Sequence, residues 1–117
     1  MMRLAFVTAI ATMAFASSAF ALGGSVYATI SANWNTPGTV YVTVLSNHSF
    51  NGTVNTTCAN TSVNETQQLT NWTFDSIAHQ DRIDTSFDIS AAGSGANCTI
   101  TVMDGHKLLA QQSFVSM

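Results

Sequence analysis

Seven asparagines in this chain, at positions 47, 51, 55, 60, 64, 71 and 97, stand two residues ahead of a serine or threonine. Such a triplet is the acceptor of N-linked sugar, which is joined to the side-chain amide nitrogen. The chain has nine asparagines in all, and 25 of residues 22–117 are Ser or Thr, so random placement would give about two or three triplets. The excess predicts sugar acceptors at Asn47, Asn51, Asn55, Asn60 and Asn64, gathered around Cys58. Asn71, beside bulky Trp72, and Asn97, beside Cys98, are poorer acceptors. The plainer alternative is a bacterial chain whose outward strand positions are simply rich in Asn and Thr.

The remaining residue types capable of chemistry form no catalytic pattern. Ser76, His79 and Asp81 lie close together, but a nucleophile needs a base oriented by a third group and a site for the developing oxyanion. Neighbouring turn residues are the simpler account. His79 and His106 lack a third ligand for a metal, and His48, Asp75, Asp84 and Asp104 stand apart. The expectation is a protein without catalytic residues, cofactor or metal. Tyr27 and Tyr41 are predicted on the outer faces of the first two strands, where an aromatic ring offers contact area to a sugar or a partner protein.

These groups need a frame, and the first element sets its compartment. Met1-Met2-Arg3, an apolar run over Leu4 to Phe15 and the ending Ala19-Phe20-Ala21 read as a secretory signal cleaved before Leu22. The run is shorter than the roughly 20 residues that span a bilayer, and no later segment supplies a membrane anchor. Residues 22–117 then make a single domain. In an exported chain the two cysteines, Cys58 and Cys98, are expected to form one disulfide. Two basic and six acidic side chains remain after the leader. A formal charge of −4 with so few cations gives no patch for nucleic acid or anionic membrane.

Period-two alternation supplies the strands. Val26, Ala28, Ile30, Ala32 and Trp34 form one inward row and Val40, Val42 and Val44 another, joined by the turn Asn35-Thr36-Pro37-Gly38. Phe50, Gly52, Val54, Thr56 and Cys58 follow. Ala59 to Thr66 reads as a loop, Leu69 to Phe74 as a short strand with Trp72 and Phe74 inward, and Asp75 to Gln80 as a turn or short helix. Ile83, Thr85, Phe87 and Ile89 form the next inward row. After the flexible Ala91 to Ala96 come Cys98, Ile100 and Val102, then an Asp104-Gly105 hairpin. Leu108-Leu109 and Phe114-Val115 leave the register of the last strand, Lys107 to Val115, open.

About seven strands predict an all-β, antiparallel, immunoglobulin-like β-sandwich, with Cys58 and Cys98 joining its two sheets through the core and Trp34 or Trp72 packed on the bridge. Two family resemblances accompany this. Trp72-Thr73-Phe74-Asp75-Ser76-Ile77-Ala78 followed by Asp84-Thr85-Ser86-Phe87-Asp88-Ile89 resembles the pro-segments of fungal deuterolysin-type proteases, which implies a stand-alone β-sandwich module, since no His-Glu-x-x-His follows. Phe50-Asn51-Gly52-Thr53-Val54 leading to Cys58 and Cys98 resembles chaperone–usher pilin subunits, although only 19 residues follow Cys98.

The expected function is a secreted, glycosylated, non-catalytic binding or surface module whose partner is an extracellular protein or a glycan. The alternatives are a bacterial periplasmic or surface adhesin-related module, and a protease inhibitor presenting Ala59 to Thr66 or Ala91 to Asn97.

Overall fold

The computed structural model describes residues 18–19 and 27–117. The leader and its cleavage site lie outside the described residues, apart from Ser18–Ala19 (β1). The other strands are β2 (Ala28–Asn33), β3 (Thr39–Ser46), β4 (Gly52–Cys58), β5 (Asn64–Leu69), β6 (Thr73–Asp75), β7 (Gln80–Asp88), β8 (Asn97–Asp104) and β9 (Lys107–Val115), with a 3₁₀ turn at Ser90–Ala92. One sheet has the order β1-β9-β8-β4-β5 and the other β2-β3-β7-β6. All pairings are antiparallel.

The inward rows meet between the sheets. Ile30, Val40, Val42, Val44 and Phe87 from one face Val54, Ile100, Val102, Leu109 and Phe114 from the other, all buried. Apart from Leu109 and Phe114, whose strand has no fixed parity in the sequence, these are the positions the alternation marks as inward, and β-branched side chains suit a pleated, covered face.

The disulfide is present, Cys58 to Cys98, but it does not join the sheets. Cys58 and Cys98 are direct partners in the β4–β8 register, with Cα atoms 4.0 Å apart, so the bridge lies within one sheet. Inward-facing parity is shared by residues side by side in one sheet and residues opposed across the core, so it could not separate the two arrangements. Trp34 stacks on Phe114, the residue paired with Cys98, at 5.1 Å between ring centroids, whereas Trp72 packs on Phe50.

Two further expectations are corrected, and the open register of the last strand is fixed. Ala59 to Thr66 is not one loop: a turn carries Asn60 at φ 61° and β5 begins at Asn64. In β5 only Leu69 is buried, so this edge strand shows no apolar alternation. The strand expected over Leu69 to Phe74 is instead the end of β5, a connection and the three-residue β6. The last strand's mixed parity is a β-bulge between Leu108 and Ala110, which buries both Leu109 and Ala110.

The two outer faces differ in charge. On the β5-β4-β8-β9 sheet the register sets side by side the rows Gln68-Thr53-Met103-Leu108, Thr66-Asn55-Thr101-Gln111 and Asn64-Thr57-Thr99-Ser113. None is charged. The outer face of the other sheet holds Asp75, Arg82, Asp84 and Asp88.

Candidate functional site

One end of the sandwich gathers aromatic side chains from three connections. The Ser46 hydroxyl donates to the His48 carbonyl at 2.6 Å and bends the chain after β3. Phe50 then folds back over Gly52, where a Cβ would lie 2.5 Å from the Phe50 ring and 2.3 Å from the Met103 carbonyl oxygen. Only glycine lets the ring and the neighbouring strand approach so closely. The Trp72 indole N–H donates to the Phe50 carbonyl at 2.9 Å, and the two rings lie 5.1 Å apart. Tyr27 stacks on His48 at 4.4 Å and meets Phe50 edge to face at 5.5 Å.

Tyr27 was expected on an outer strand face. It instead precedes β2 and lies half-buried in this cluster, its hydroxyl donating to Asp104 at 2.5 Å. Lys107 sits 5.2 Å over its ring. Burial first, then the bond and the charge of Asp104, push the phenol up to about 12. Beside these rings, Ser49, Phe50, Asn51, Thr70 and Trp72 line a cavity of about 290 Å³ with no charged residue in its wall.

The adjoining β6–β7 hairpin presents apolar residues to solvent. Phe74 is 65% and Ile77 92% exposed. Phe74 pairs with Asp81 and shares the inward face with Ile83 and Phe87, so its parity is as expected. Its burial is not: β6 is a three-residue strand at the edge of its sheet. The turn is held by Asp75, which accepts from the Ile77 and Ala78 N–H groups at 2.9 and 3.0 Å and from Arg82 at 2.9 Å. The Ala78 bond and then Arg82 hold the Asp75 carboxyl below the usual range. Arg82 also binds Asp84 at 2.8 Å, lowering Asp84 and raising its own value. His79 closes the turn at φ 56°.

The sequence-predicted residues divide clearly. Asn51, Asn60, Asn64 and Asn97 are exposed at the ends of β4, β5 and β8, and Asn47 is exposed in the β3–β4 connection. Asn55 is different. Its amide nitrogen donates to Asn64 Oδ1, the Glu65 carbonyl and Thr66 Oγ1 at 2.9, 3.1 and 2.8 Å. Tyr41 stands 51% exposed on the charged sheet beside Ser86. Ser76 and His79 are exposed on the hairpin tip and make no hydrogen bond to each other or to Asp81 among the described contacts. Among the described residues no three His, Cys, Asp or Glu side chains are grouped to hold a metal, and no helix is long and apolar enough to cross a membrane.

The Phe50–Trp72 cavity and the exposed Phe74–Ile77 tip were not singled out from the sequence. The available signal was the clustering of Phe50, Trp72 and Phe74 with Gly52. No protein-family model, curated protein or solved structure matches this chain.

Proposed function

We propose that this chain is a small exported, non-catalytic binding module that carries N-linked sugars along its charge-free face and meets its partner through the aromatic end. The observation that carries the reading is the Phe74–Ile77 hairpin tip, two large apolar side chains held out to water beside the Trp72–Phe50 cavity. A side chain fixed in place before contact loses little freedom on binding, and an aromatic or aliphatic anchor flanked by polar rim residues is the usual form of an interface centre.

The sugar-bearing part draws support from position. Four exposed triplet asparagines, Asn51, Asn60, Asn64 and Asn97, lie at the ends of β4, β5 and β8, around rows of Thr, Asn and Gln with no charge. Only 8% of the chain is charged, against roughly 25% in ordinary domains, so solubility must come from another source. Attached glycans supply it.

The test is a protein and glycan array probed with natively exported material and with a Phe74→Ser/Ile77→Ser double variant. The reading expects a ligand whose binding the double variant loses while its circular dichroism is unchanged. Equal binding by both proteins would remove the hairpin from the interface. The protease-inhibitor alternative finds less support: the Ala59–Ser62 segment is curled by the Thr61 hydroxyl, which donates to the Cys58 carbonyl and accepts from the Val63 N–H, whereas a substrate-like loop is extended.

A further inference from the structure

We infer that the cavity walled by Ser49, Phe50, Asn51, Thr70 and Trp72 is a seat for a single neutral hexose ring, N-acetylated or not. This deepens the reading of the aromatic end as the contact end, and rests on it. The wall combines two aromatic rings with two hydroxyls and a side-chain amide. A pyranose has that same duality, one face of C–H groups that packs on an aromatic ring and an edge of hydroxyls that seek donors and acceptors. A volume of about 290 Å³ lies at the small end of ligand cavities, which run from roughly 300 Å³ upward, and suits one ring.

The two rings are held before any ligand arrives. Trp72 is oriented by its bond to the Phe50 carbonyl, and Phe50 is held between Gly52 beneath it and Tyr27 and His48 behind it. The wall holds no cation to pair with the charge of uronic acids, sialic acids or phosphosugars, so neutral sugars fit it better.

The ring can come from two sources with the same chemistry. It is the terminal or internal sugar of an external glycan, or the first sugar of a glycan on Asn51 itself, whose side chain lines the cavity. Thr53→Ala separates them. It destroys the acceptor triplet at Asn51 yet leaves every wall residue in place, since Thr53 lies on the outer face of β4.

The experiment follows the Trp72 indole N–H resonance, with Trp34 as internal control, in natively exported wild type and in Thr53→Ala. Each is titrated with glucose, with N-acetylglucosamine and its short oligomers, and with glucuronate, up to about 10 mM. Saturable movement of the Trp72 resonance in Thr53→Ala with neutral sugars, weakened about fivefold by Thr70→Val and unaffected by Phe74→Ser/Ile77→Ser, supports an external ligand. A Trp72 resonance already displaced in wild type, and returned by Thr53→Ala, supports the chain's own glycan. A resonance unmoved by neutral sugar and identical in the two proteins overturns the inference. So does a stronger response to glucuronate. Because the titration does not use the hairpin tip, a failed array leaves this outcome readable, and the reverse also holds.

Discussion

Gly52→Ala tests the frame of the aromatic end. The new Cβ would lie 2.3 Å from the Met103 carbonyl oxygen and 2.5 Å from a Phe50 ring carbon, and both distances are well inside contact. The Phe50 ring can rotate away, but the carbonyl belongs to β8, fixed by its Thr53↔Met103 pairing. The methyl must therefore either push β8 off β4 at their shared end or tilt β4. Overpacking of this kind costs about 1–3 kcal/mol, and losing the Phe50–Trp72 contact adds about 0.5–1.5 kcal/mol. Together these lower the melting temperature by roughly 10–20 °C in a domain of this size. Thermal unfolding by circular dichroism reads the shift, and tryptophan fluorescence reports Trp72 losing its partner. The Asn51 triplet is intact in this variant, so glycosylation does not confuse the comparison. A melting temperature within a degree or two of wild type would mean that Phe50 and Met103 do not converge on Gly52, and the cavity would lose its wall.

Four other outcomes are expected. Replacing both Cys58 and Cys98 with Ala reopens a 40-residue separation, a loss of about 4 kcal/mol by chain entropy; denaturant unfolding showing under about 1 kcal/mol would contradict it. Thr56→Val should stabilise by about 1 kcal/mol, because the Thr56 hydroxyl is fully buried with no hydrogen-bond partner among the described residues; a loss of stability would show that the hydroxyl is satisfied. The carboxyls of Asp75, Asp84 and Asp88 are all held low, Asp88 by Ser90, so their contribution is complete above the ordinary aspartate value of 3.8 and fades as pH falls below it. Melting temperatures that stay flat from pH 5 down to pH 2 would refute this. Tyr27 is pushed up to about 12 from 10.0, so its contribution is whole below pH 10 and is lost as pH rises from 10 through 12; phenolate absorbance of Tyr27→Phe against wild type reads the late-titrating group directly.

Alternation revealed most strands because burial enforces it. Val40, Val42 and Val44, or Cys98, Ile100 and Val102, have no second way to lie in a two-layer fold. It failed at the edge strand β5, where the inward position opposite Val54 is filled by polar Gln67, which bonds to Ser86 and Thr85 of the facing sheet instead of packing apolar surface. It also failed at Leu108-Leu109-Ala110, where adjacent apolar residues mark the bulge that strict parity cannot accommodate.

Parity names a face but not what covers that face. Phe74 points inward as its spacing implies, yet stands 65% exposed on the short edge strand β6. The same limit let Cys58 and Cys98 read as a bridge across the core when they are neighbours in one sheet. The aromatic end was hidden for a related reason. Tyr27, Phe50 and Trp72 come from three separate connections, and their meeting depends on the close approach at Gly52 and the return of the chain through Thr70 to Trp72, which no local pattern encodes.

In the proposed function, sugars lie along the charge-free outer face of one sheet, and the Phe74–Ile77 tip is kept for contact. Site-resolved glycopeptide mass spectrometry of the protein from its native source tests this division most directly. Sugar is expected on Asn60 and Asn64, at the ends of β4 and β5, and none on Asn55, whose amide nitrogen is spent in three hydrogen bonds. Unmodified asparagine at every triplet, or sugar on Asn55 with none on Asn60 and Asn64, would contradict it.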